Sequence, residues 1–232
     1  PRSDMPAHRD TLIDALKVLA SQLIVLHHFS SYGVLSDQWQ STAPTLQAWF
    51  FDYGRMAVQV FLVVGGFLAA RGFTSLCSTT GPILAKQVVK RYLRLVLPLI
   101  AALLLAIVSG AVTRAWADFS FVPGFPTWAQ FGSHVLLLQS IAGQDALSSG
   151  VWYVAIDFQL YLLMAWIVWI GQSAARWWVA ALMIAALVRF NLQPDLDNWA
   201  LYFFGAYGMG CMAYWASKSK HPWVGLGALF LV

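Results

Sequence analysis

The feature that most limits the fold is a titratable group set inside an otherwise apolar, bilayer-length run. Leu12–Ser31 holds Lys17, His27 and His28, and Val151–Ile170 holds Asp157. About 20 consecutive apolar residues match the hydrocarbon thickness of a bilayer. Lipid offers no partner to a free N–H or C=O, so such a run must be helical. An ionisable side chain within it must face protein or a wet cavity, which marks it as a candidate functional residue.

Seven stretches have membrane length or approach it: Leu12–Ser31, Gly54–Phe73, Tyr92–Val112, Ala129–Ala142, Val151–Ile170, Trp177–Phe190 and Trp199–Ala216. Charged residues make up only 10% of the chain and hydrophobic ones 59%, whereas soluble domains are about a quarter charged. So few charges cannot cover a soluble surface of this size. The expected class is all-α, a polytopic transmembrane helical bundle forming a single domain over 1–232. Twelve Trp fit membrane interfaces. The net charge of +4 comes without a Lys/Arg run of the kind that binds nucleic acid. Cys77 and Cys211 are far apart, so neither a disulfide framework nor a cysteine metal site is expected.

The polar opening PRSDMPAHRD precedes Leu12–Phe29, which lacks a small-residue cleavage pattern and reads as a retained first span. The polar stretch Tyr32–Phe51 reads as a loop, as does Thr74–Lys90, where Gly81-Pro82 signals a turn. Trp223–Val232 is apolar but far short of a span, which implies a fragment of a longer protein.

Charge distribution sets the expected topology. With Arg2, Arg9 and Lys17 in the cytoplasm, Arg71, Lys86, Lys90, Arg91 and Arg94 also fall inside. If Ala129–Ala142 does not cross, Arg176, Lys218 and Lys220 join them, while the Asp195/Asp197 turn lies outside. That arrangement obeys the positive-inside rule. It predicts six complete spans and a short non-crossing segment near the outer face.

His28 then sits at the outer end of the first span and Asp157 in the outer part of the fourth. A His–carboxylate pair is a general-base arrangement, the carboxylate fixing the imidazole tautomer. The alternative is structural: Asp157 bonds a neighbouring helix and His28 meets water at a helix end. Lys17 and His28 are eleven positions apart, so they share a helix face about 16 Å apart. Asp14, Ser21 and Ile24 follow the same stripe. His27 points about 100° away and reads as a packing residue. Arg91 and Arg94 share a face at the cytoplasmic start of the third span. Paired guanidinium groups suit phosphate oxygens, although anchoring to anionic lipid accounts for them as well. The adjacent histidines diverge on a helix, unlike the i, i+4 pair of a zinc helix, so no metal is expected.

Four segments together resemble the acyltransferase 3 family of membrane acyltransferases. "RDTLIDALKVLASQLIVLHHF" is similar to its opening helix, with Asp14, Leu16, Lys17 and His28 at the pattern positions. "MAVQVFLVVGGFLAARGF" resembles its next span through Gln59, Phe61, Gly66, Phe67 and Leu68, with Gly65 where Ser is usual. "KRYLRLVLPL" matches the Arg-x-x-Arg stretch leading to Pro, here Arg91, Arg94 and Pro98. "WYVAIDFQLYLL" places Trp152, Asp157, Gln159 and Tyr161 in register. Lys17 replaces the usual Arg and Asp157 the usual Glu, which keeps each charge but alters reach.

The resemblance implies a fragment of a roughly ten-span protein of the bacterial cytoplasmic (inner) membrane, with a cytoplasmic N-terminus. It implies transfer of an acyl group, most often acetyl, from acyl-CoA to a hydroxyl of a glycan or similar acceptor, without a metal. On that reading His28 is the general base and Asp157 orients it. Lys17 holds the donor or polarises its thioester, and Arg91 and Arg94 hold CoA phosphates. The resemblance leaves the acceptor, the acyl length and the oligomeric state open. The rival reading is a proton-coupled transporter using Lys17, His28 and Asp157 as a relay, although no internal repeat supports it.

Overall fold

A computed structural model describes residues 10–76, 80–116, 122 and 124–229. Arg2, Arg9, Cys77 and Pro123 lie outside the described residues. The chain is all-α, with no strand among the described residues. Among the described residues, four stretches are long and apolar enough to cross a bilayer: Thr11–Ser31, Pro44–Thr74, Gly81–Trp116 and Val151–Phe190. The chain contacts cluster in two units, one ending at Val64 and the other beginning at Gly65.

In the first unit α1 (Thr11–Ser31) runs unbroken through the Lys17–His28 stripe. The expected loop Tyr32–Phe51 is instead two short helices, α2 (Gly33–Thr42) and α3 (Pro44–Tyr53). Pro44 explains the break, because its ring favours the first turn of a new helix and cannot continue an old one. Both helices fold back on the end of α1. The Ser30 carbonyl accepts from Ser36 Oγ and from Gln47 Nε2, each at 2.7 Å. A 3-10 turn at Gly54–Met56 then leads into α4 (Ala57–Thr74). Gly54 rests against α1 so closely that a Cβ there would stand 2.8 Å from His27 Cβ.

The second unit contains the end of α4, α5 (Gly81–Trp116), α6 (Trp128–Val135), α7 (Val151–Gly171), α8 (Ala175–Ala185), α9 (Ala200–Ser217) and α10 (Pro222–Leu229). Gly81-Pro82 opens α5 rather than forming a turn. A proline in the first helical turn gives up an N–H that had no intrahelical acceptor anyway. The helix has 36 residues, about 54 Å, well beyond a hydrocarbon core of about 30 Å. Arg91 is therefore three turns into α5, not at its start.

Contacts fix the helix directions. Gly81 lies beside Trp169, Tyr92 meets Phe158 at 5.4 Å, and Leu99 and Leu103 pack with Val151 and Ala155. Helices α5 and α7 are thus antiparallel, and the chain between them returns without a net crossing. That return is α6 and a hydrogen-bonded loop. His134 Nδ1–H donates to the Gln130 carbonyl at 2.8 Å, and its Nε2 accepts from Leu147 N–H at 3.2 Å. This leaves a neutral imidazole with both nitrogens satisfied. Leu137 and Leu147 seal the loop against α5 and α7.

The Val151–Phe190 stretch reverses at Gln172, whose φ of 42° lies in the left-handed region. It therefore holds two antiparallel helices, α7 and α8, in place of one long one. Gly205 and Gly208 of α9 let Leu187 and Met183 of the α8 stretch press against its backbone. Gly66 brings α4 equally close to α9, since a Cβ there would overlap the Tyr207 carbonyl and sit 3.2 Å from Cys211 N. Small residues at helix contacts are what permit such approach in lipid, where packing rather than hydrophobicity holds helices together. Cys211 Sγ donates to the Gly66 carbonyl at 3.3 Å in the same seam.

Candidate functional site

The first unit carries Lys17 and His28. Both are half-buried on the continuous α1. His27 is a structural residue: its Nδ1–H donates to the Phe50 carbonyl at 3.1 Å, tying α1 to α3. His28 differs. Its ring stacks with Tyr32 at 6.4 Å, and its Nδ1 is buried with no hydrogen-bond partner among the described residues. That nitrogen's hydrogen-bonding capacity is unspent.

The second unit carries Arg91, Arg94 and Asp157. Asp157, the seventh residue of α7, is 5% exposed. Arg91 Nη2 donates to its Oδ2 at 2.7 Å and to its Oδ1 at 2.9 Å. The guanidinium plane also lies 4.5 Å from the centre of the Tyr161 ring, a cation–π contact. Tyr161 itself stacks on Phe73 of α4 at 5.0 Å. A carboxylate inside an apolar bundle needs such a partner, because its desolvation alone costs several kcal/mol.

This contact revises the separation expected between an inner Arg91 and an outer Asp157. The two groups occupy one level of the bundle. The reason is the length of α5, which carries Arg91 inward past its own first turns. It also divides the two arginines, since Arg94 is exposed while Arg91 is committed to Asp157. The exposed Lys86 and Lys90 share α5 with Arg94. Lys17 and His28 belong to the first unit, and Arg91, Arg94 and Asp157 to the second.

Two further residues build the site. Gly65 makes room for the carboxylate: a Cβ there would stand 3.3 Å from Asp157 Oδ1 and 3.5 Å from Tyr207 Cε2. Tyr207 is fully buried. Sequence reasoning passed over it because it carries no charge. The available signal was its place near the middle of an apolar run, since membrane tyrosines favour the interfaces.

Chemically, the second unit offers a neutralised ion pair with unpaired donors around it. The first offers an imidazole whose Nδ1 has no partner among the described residues, three helical turns from an ammonium group. A family profile described as an acyltransferase domain matches residues 10–232. No curated protein matches, and no solved structure does.

Proposed function

The chain belongs to the acyltransferase 3 family and is an integral membrane acyltransferase, and we propose that it moves an acetyl or other short acyl group from acyl-CoA to a hydroxyl of a cell-envelope glycan. His28 is the general base. It takes the proton of the acceptor hydroxyl, whose oxygen attacks the thioester carbonyl carbon. The resulting tetrahedral oxyanion collapses, the C–S bond breaks, and the leaving thiolate takes the proton back from the imidazolium as CoA-SH.

Lys17 stands on the same face of α1 and supplies positive charge to the donor. Asp157 orients His28. Arg94, with Lys86 and Lys90, meets the CoA phosphates, while Arg91 acts chiefly through Asp157. The protein sits in the bacterial inner membrane with its N-terminus in the cytoplasm, where acyl-CoA is made.

The observation that carries this reading is the His28 imidazole with a buried, unpartnered Nδ1 on the helix that also holds Lys17. The test is release of CoA-SH by the full-length protein in nanodiscs, supplied with acyl-CoA and envelope glycans. His28→Ala is expected to lower transfer by about 10²–10⁴-fold at unchanged yield of folded protein. Equal transfer by the variant rejects the base, and no thiol release from any acyl-CoA rejects the donor.

A further inference from the structure

A buried hydroxyl that bonds to nothing destabilises a fold, and it persists where something other than the resting protein uses it. Tyr207 is such a group. Its residue is 0% exposed, and its Oη has no hydrogen-bond partner among the described residues. The same holds for one atom of the ion pair: Arg91 Nε is buried and has no partner among them.

Several groups around them have partners of their own. Arg91 Nη2 binds both oxygens of Asp157. Tyr161 covers a face of the guanidinium. Cys211, one turn beyond Tyr207, bonds the Gly66 carbonyl. Gly65 sets the distance between the parts. The position its Cβ would take is 3.3 Å from Asp157 Oδ1 and 3.5 Å from the Tyr207 ring edge, so the ring and the carboxylate face each other across one glycine. A tyrosine hydroxyl donates or accepts, and a guanidinium Nε–H only donates. Asp157 cancels the guanidinium charge, so a ligand atom here needs no full negative charge in its ground state. It needs to be an oxygen acceptor.

We infer that Tyr207 Oη–H and Arg91 Nε–H form a donor site for the acyl carbonyl oxygen of the donor substrate, which makes Tyr207 a catalytic residue. The inference rests on the acyl-transfer reading for the identity of that oxygen. Both donors keep their protons throughout. They bond the carbonyl oxygen more strongly as it becomes the tetrahedral oxyanion, which is where preorganised donors lower a barrier. The proton that moves is the one that leaves the acceptor hydroxyl and ends on the departing thiolate, carried by the general base; Tyr207 and Arg91 neither lose nor gain one.

The test is Tyr207→Phe in the full-length protein, which removes only the hydroxyl. Without substrate its Tm is expected to equal or exceed that of the wild type, because an unpaired donor is lost. Binding of CoA-SH, which has no acyl carbonyl, is expected to be unchanged. Turnover of acyl-CoA is expected to fall by about 10²–10³-fold in kcat. Arg91→Lys keeps a positive charge opposite Asp157 and removes Nε, and it is expected to lower kcat in the same direction. A Tm several degrees lower in Tyr207→Phe shows a hydroxyl already bonded within the protein and overturns the site, whatever the activity. An unchanged kcat, with Tm preserved, overturns the catalytic role. A wild-type protein that turns over no acyl-CoA refutes the proposed function, while the thermal comparison still decides whether the Tyr207 hydroxyl is spare.

Discussion

Dismantling the Arg91–Asp157 pair one partner at a time, and then both together, measures what the ion pair contributes to the bundle. Arg91→Leu strands a carboxylate whose side chain is 7% exposed. Breaking a buried pair from one side costs about 3–5 kcal/mol, and the near-complete burial of Asp157 puts this variant at that level. Asp157→Leu strands a guanidinium that is 27% exposed and still lies over the Tyr161 ring. Incomplete burial and a cation–π contact of about 1 kcal/mol remain to it, so the expected cost is lower, about 1–3 kcal/mol. Replacing both leaves two apolar side chains in an apolar bundle, and isosteric apolar replacement of a buried pair is often close to neutral. The double variant should lie within about 1 kcal/mol of the wild type, although it should transfer no acyl group. The assay is reversible unfolding of the full-length protein in mixed micelles, run as a double-mutant cycle. Additive single costs would refute the coupling. A larger loss for Asp157→Leu than for Arg91→Leu would refute the argument from unequal exposure.

Other consequences are open to simple checks. Gly66→Ala forces a methyl group into the Tyr207 carbonyl and should destabilise the α4–α9 seam by about 3 kcal/mol, read as lost folded yield in detergent. Gly72→Ala, whose new Cβ meets nothing within 4 Å among the described residues beyond its own turn of helix, should be neutral or slightly stabilising in the same helix. Arg94→Ala should raise KM for acyl-CoA by about tenfold with little change in kcat, since a lost phosphate contact of about 1.4 kcal/mol acts on ground state and transition state alike; an altered kcat at constant KM would contradict the phosphate role. Cys211 is fully buried and hydrogen-bonded, so maleimide should leave it unmodified in the folded protein and label it after denaturation.

Much of the helical framework was legible in the sequence because lipid leaves an apolar run so few options. The positive-inside argument gave a non-crossing segment between α5 and α7, and their antiparallel contact shows the same return. The helical caps α2 and α3 were not legible. Tyr32–Phe51 is polar and aromatic without a clear period, and its helicity depends on docking against the Ser30 carbonyl rather than on its own pattern. The start of α5 was hidden by Gly81-Pro82, a pair that begins a helix as readily as it makes a turn. At the site, the charged residues announced themselves, because charge in lipid demands an explanation. Which charge met which did not, since Arg91 and Asp157 are 66 positions apart and only the true length of α5 brings them level. Tyr207 stayed silent because an uncharged ring in an apolar run reads as packing.

Helix α5 also contains Pro98, seven residues beyond Arg91. Proline has no N–H to give, so the Arg94 carbonyl one turn earlier loses its usual intrahelical bond and the rod is weakened at that point. Above this joint, Leu99 and Leu103 are wedged among the side chains of α7 and the return loop. Below it, Arg94, Arg91, Lys90 and Lys86 share one stretch of helix, held along α7 by Gly81 beside Trp169, by Tyr92 against Phe158 and by the Arg91–Asp157 pair. The missing bond therefore falls between two anchored halves of the rod, and the exposed cations and the buried pair keep a common rigid support.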